Sequence, residues 1–384
     1  MNDELEKEIA KRDGRFKANG VSAELDELMA TTHQSSLLYL EGLAKHWYAN
    51  DNRPIYFDIL IENKINGLCY ATPEVPEAFD FIGITALSIC TIYDLYYRLL
   101  SDPRIFPELG NCEHEISDRG SIISLRDLKQ NSQNFSCKPI HPSRTALAES
   151  LAKLTIRFLL NHEFAHINNG HIAWVRENSS ASQCVFIQEM VSNDEELDLK
   201  EYRRALEMDA DCTAIQYTMN DLRSRHEHLK QHMSDDVLAS FLGVMLPESQ
   251  LYETTLDCFK TTVRVAYFFL RLLDPSQWNG MNIGSHPHLA QRMHYCMGVM
   301  FSYTLERPQC EVTLEQAQNV IPAIIQEAEN AFAYLLNSEP DFRGFNSAAT
   351  NDPARTASLN ELRASWATMR DSLIQKKRHS AKLA

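Results

Sequence analysis

His162-Glu163-Phe164-Ala165-His166 sets two imidazoles four residues apart, with a carboxylate directly after the first. Residues four apart share one face of an α-helix, so His162 and His166 can aim ring nitrogens at a single metal ion. Glu163 stands one residue round, within reach of a water on that metal. Two neutral nitrogen ligands beside a base are what a zinc hydrolase needs. Two ligands do not complete a zinc site, and Glu207-Met208-Asp209-Ala210-Asp211 offers the third. Glu207 and Asp211 share a helix face. One can bind the metal while the other accepts a hydrogen bond from a ligating imidazole.

The flanking sequence supplies a helix for the pentapeptide. Ser143-Arg144-Thr145-Ala146-Leu147 follows Pro142 and reads as an N-cap. Leu147, Leu151, Leu154 and Phe158 then recur at helical spacing over residues 144 to 169. Asn168-Asn169-Gly170 ends the helix, with Gly170 suited to a left-handed position. The plain alternative is a pair of solvated histidines on a surface helix. The apolar flanks argue against it, because burying a metal-free His pair beside a Glu is costly. A second helix spans about 199 to 219 and carries Glu207 and Asp211. Ala210 and Ala214 fit a close helix–helix approach better than a solvated acidic face.

These residues resemble the gluzincin metallopeptidases. The order His162-Glu163-x-x-His166, Gly170-His171, then Glu207-x-x-x-Asp211 is similar to the branch holding the CaaX prenyl endopeptidases and the HtpX-type proteases. Ser285-His286-Pro287-His288-Leu289-Ala290-Gln291-Arg292-Met293 is similar to a later stretch of that branch. The resemblance implies one zinc ion held by His162, His166 and Glu207, a general base at Glu163, and a carboxylate at Asp211 that steadies a ligand. His171 joins it as a supporting residue. His286 and Arg292 are implied near the substrate or the oxyanion. The likeness covers about residues 144 to 296. Lit-like phage-exclusion proteases share only the HExxH core with it. The expected activity is zinc-dependent endopeptidase cleavage, with a regulatory or defence role and narrow specificity. A metal hydrolase acting on something other than peptides, or a non-catalytic zinc-binding module, are the other readings.

Composition bounds the rest. A chain of 384 residues makes one large or two modest domains, and 44% apolar residues suit a globular fold. A net charge of −15 argues against nucleic-acid binding, which needs clustered basic residues. The charged start, Met1-Asn2-Asp3-Glu4, is unlike a secretory signal, and nine scattered cysteines without a C-x-x-C pair read as reduced thiols. A cytoplasmic protein without stable membrane insertion is expected. Its partners would be a protein or peptide substrate, with a regulatory partner or homo-oligomer open.

Along the chain we expect a mainly α fold of α+β type: a zincin-like helical core, a small sheet or hairpin, and added helices at both ends. Residues 1–143 form an N-terminal region, 144–300 the metallopeptidase core and 301–384 a C-terminal helical region. The first 20 residues read as a charged segment that frays or caps. Residues 22 to 49 read as helix. Ile55 to Ile61 and Leu68 to Ala71 read as a hairpin whose edge could bind substrate. The apolar run from Phe81 to Tyr93 reads as a buried helix, and 101–143 as a loop-rich connection. Further helices are expected at about 235–245, 251–273, 313–336 and 358–377. Two decoys stand apart. His228 and His232 are four apart but no Glu follows His228, so a solvated helix is expected. The basic tail Lys376-Lys377-Arg378-His379 suits a helix C-terminus.

Overall fold

The apolar run beginning at Phe81 is half strand and half helix, and this decides the sheet. In the computed structural model, which describes residues 3–18, 22–48, 53–72, 78–122, 135, 137–178, 186–188, 200–233, 247–273, 288–307, 311–342 and 353–378, the run enters as strand β3 (Asp80–Thr85). It continues as a helix after Thr85, whose side chain accepts from Ser88 N. A continuous apolar stretch shows no period, so spacing alone cannot separate a buried strand from a buried helix. The expected hairpin is corrected accordingly. β1 (Ile55–Leu60) pairs in parallel with β3, and β2 (Gly67–Ala71) pairs antiparallel with β3 on its other side. β4 (Phe186–Gln188) then covers the outer edge of β2, so the order is β1-β3-β2-β4. Over Leu68–Tyr70, β2 is therefore an inner strand and not the open edge that strand addition would use.

The helices, in chain order, are α1 (Asp3–Ala10), α2 (Ala23–Trp47), α3 (Ala86–Leu100), α4 (Pro142–Asn168), α5 (His171–Asn178), α6 (Lys200–Met233), α7 (Thr255–Leu273), α8 (Leu289–Glu306), α9 (Leu314–Leu335) and α10 (Pro353–Lys376). The fold is mainly α with this one small sheet among the described residues. The expected helix at 235–245 lies outside them. No helix among them is long and apolar enough to cross a membrane.

Both faces of the sheet are covered. Cys69 and Ala71 of β2 join the main core, while Leu68 and Tyr70, alternating with them, join Leu60, Phe81, Leu5 and Ile9 on the other face. The N-terminal segment is thus not a frayed cap: Leu5 and Ile9 of α1 seal the sheet. The main core takes residues from all three stretches of the chain, from Met29 to Leu373.

α4 begins two residues earlier than its sequence suggests. His141 is the N-cap, its Nδ1 accepting from Ser143 N, and Pro142 occupies the first helical position, where no N–H is needed. Arg144, fully buried, donates to five backbone carbonyls, those of Leu100, Asp102, Ile105, Phe106 and Leu109, at 2.7–3.0 Å. One guanidinium supplies the hydrogen bonds that this loop lacks as regular structure. Gly170 ends α4 at φ +81°, the left-handed geometry anticipated for it.

Candidate metal centre

α4 and α6 lie side by side, with Ala210 and Ala214 fully buried between them. Two amide bridges set their register: Asn161 Nδ2 donates to Thr218 Oγ1 at 3.1 Å, and Asn168 Nδ2 donates to Tyr217 OH at 3.0 Å. This packing brings His162, His166 and Glu207 together. His162 Nε2 lies 3.1 Å from His166 Nε2 and 3.2 Å from Glu207 Oε2, and His166 Nε2 lies 3.6 Å from Glu207 Oε1. All three side chains are buried.

Each imidazole has a hydrogen-bonding partner on its far side. His162 Nδ1 is 3.0 Å from Asp211 Oδ1, and Arg292 holds both oxygens of Asp211, Nε at 2.6 Å and Nη2 at 2.8 Å. A carboxylate oxygen accepts, so His162 donates to Asp211 from Nδ1 and turns Nε2 toward His166 and Glu207. His171 Nε2 is 3.0 Å from Asp209 Oδ2, which also accepts from Asn169 Nδ2 at 2.8 Å. Burial pushes the Asp209 carboxyl up, but the donors from His171 and Asn169 outweigh it and hold it below its ordinary value. His171 Nδ1 lies 2.9 Å from His166 Nδ1, on the side of that ring away from His162. Burial lowers the His166 ring to about 4, so it is neutral at pH 7.

Two imidazole Nε2 atoms and a carboxylate thus face one another across 3.1–3.6 Å. Tetrahedral zinc ligands at about 2.0–2.1 Å from the metal stand roughly 3.3–3.4 Å apart. The donor set fits a divalent cation of that type, and among the described residues it is the group of His, Cys, Asp and Glu that converges in this way.

Glu163 is fully buried and its carboxylate presses on β2. A Cβ at Gly67 would lie 2.3 Å from Glu163 Oε1 and 2.9 Å from Leu159 Cδ1. Gly67 is a close-approach position that leaves space for the carboxylate. Next on the same face, burial and the neighbouring Glu163 raise the Cys69 thiol well above its ordinary value.

The structure brings six of the eight expected site residues into contact with at least one other of the set: His162, His166, His171, Glu207, Asp211 and Arg292. Glu163 adjoins them on α4, and His286 lies outside the described residues. Arg292 pairs with both oxygens of Asp211, behind the His162 ring. Sequence reasoning gave no role to Asp209. It sits between Glu207 and Asp211, and its signal was the alternation Glu-x-Asp-x-Asp, which turns one carboxylate toward a different imidazole. Of the histidine decoy, His228 is exposed as expected of a solvated helix, while nearby His226 is buried with its Nδ1 3.1 Å from Tyr252 O.

No protein-family model, curated protein or solved structure matches the chain.

Proposed function

We propose that the chain is a zinc-dependent endopeptidase of the gluzincin kind, acting on a protein substrate in the cytoplasm. One observation carries this reading: His162 Nε2, His166 Nε2 and the Glu207 carboxylate converge within 3.1–3.6 Å, a donor set that fits a divalent cation. His162, His166 and Glu207 would hold the ion. Zinc, when bound, supplies the Lewis acidity that makes water nucleophilic near neutral pH and polarises a carbonyl.

The remaining chemistry belongs to the chain. Glu163, one residue from His162, takes the proton of the attacking water on a carboxylate oxygen and returns it to the leaving amine. Gly67 leaves room for that carboxylate. Asp211, itself held by Arg292, accepts from His162 Nδ1, and His171 orients the His166 ring. The guanidinium of Arg292 is engaged by Asp211, so we assign it to holding the ligand shell and not to the oxyanion.

A second reading rests on burial. His162, Glu163, His166 and Glu207 are each at most 3% exposed, as expected of a metal held for structure in an interaction module. Metal analysis of the purified chain, together with cleavage products from cells expressing wild type against Glu163→Gln, separates the two. Bound zinc with products that vanish in the variant supports the protease. Bound zinc with identical product sets in both supports the structural module.

A further inference from the structure

Asp209 has a second oxygen, and the far end of the chain takes it. Trp366 Nε1, on α10, donates to Asp209 Oδ1 at 3.0 Å. A continuous run of hydrogen bonds therefore joins His166 to His171 (2.9 Å), His171 to Asp209 (3.0 Å) and Asp209 to Trp366. α10 is fastened along its length around this contact. Gln291 Nε2 on α8 donates to Ser358 Oγ at 2.6 Å, Tyr295 OH donates to Leu359 O at 2.9 Å, and Arg204 of α6 pairs with Glu361 at 2.5 Å. At its end, Lys376 packs so closely on the terminus of α4 that a Cβ at Gly170 would lie 2.7 Å from Lys376 Cβ. Just beyond, Arg378 N donates to Asn168 O, in the last turn of α4, at 2.9 Å.

We propose that Trp366 is a positioning residue of the metal site, through which docking of the C-terminal helix and metal binding strengthen each other. An indole N–H only donates, so it fixes which Asp209 oxygen remains for His171. His171 in turn fixes the orientation of the His166 ring, which presents Nε2 to the ion. The coupling is reciprocal by thermodynamic necessity: whatever α10 adds to metal affinity, the metal adds to α10 docking. This inference rests on the metal-site reading above.

The test is zinc affinity, measured by competition with a chromophoric chelator and referred to the folded fraction of each metal-free variant. Partners of ligating histidines are worth about 10–100-fold in affinity, so Trp366→Phe should weaken zinc by about tenfold. Asp209→Ala should weaken it at least as much, and the double variant no further than Asp209→Ala alone. Equal affinity in wild type and Trp366→Phe overturns the proposal and leaves the site intact. A His162→Ala chain that binds zinc as wild type does overturns the site reading as well. Should Trp366→Phe not fold, the wild type answers alone. Of its four tryptophan indole N–H resonances, one should move when zinc is added and should also be moved by Asp209→Asn. Zinc binding with no responsive indole resonance overturns the coupling.

Discussion

The guanidinium of Arg292 grips both oxygens of Asp211, Nε to Oδ2 at 2.6 Å and Nη2 to Oδ1 at 2.8 Å, and neither residue is more than 3% exposed. Removing one partner of such a pair strands a buried charge, which costs about 3–5 kcal/mol. Arg292→Ala should therefore lower unfolding free energy by about that amount in chemical denaturation, in metal-free protein. Arg292→Lys keeps the charge but loses the planar fork, and should recover only part of the loss. An Arg292→Ala chain as stable as wild type would show that Asp211 is satisfied by other means.

Glu163→Gln keeps the shape of the side chain and removes its basicity. It should retain zinc and lose roughly three or more orders of magnitude in turnover, because one group serves as base and then as acid. The comparison is kcat/KM against zinc content for the same preparation. Undiminished turnover in the variant would remove Glu163 from the mechanism.

Glu207→Ala deletes the carboxylate that faces both Nε2 atoms, at 3.2 and 3.6 Å. Its zinc content should fall well below that of wild type by elemental analysis. Chelator treatment should also lower the melting temperature of wild type more than that of Glu207→Ala, because a ligand that binds only the native state stabilises it by mass action. A Glu207→Ala chain with stoichiometric zinc would move the third ligand elsewhere.

Gly67→Ala puts a methyl where Glu163 Oε1 now stands, 2.3 Å from the new carbon. Either β2 shifts or the carboxylate does. The expected result is a fall in kcat of roughly 10²-fold, the scale seen when a reacting group is misplaced by about 1 Å. Zinc content should stay at the wild-type level, since the atoms nearest the new methyl belong to Glu163 and Leu159. Unchanged turnover would show that Glu163 has space to spare.

What the chain's order of residues determined by itself was local. Four-residue spacing on one helix announced His162 with His166 and Glu207 with Asp211. The left-handed stop at Gly170 and the two long helices carrying these residues follow from the same short-range geometry, since caps and periods act over a few residues. The mainly helical class was legible for that reason. Tertiary structure decided the rest. That β3 separates β1 from β2 depends on which strands bury their faces together, which a uniformly apolar run does not encode. That Arg292 turns to Asp211 is a contact across 81 residues, and the approach of Trp366 to Asp209 spans 157. Contacts at such separations form only when packed helices bring them within reach, and no spacing rule along the chain specifies them. The convergence of His162, His166 and Glu207 arises in the same way: each side chain is ordinary alone, and only the packing of the two helices turns both Nε2 atoms toward one carboxylate.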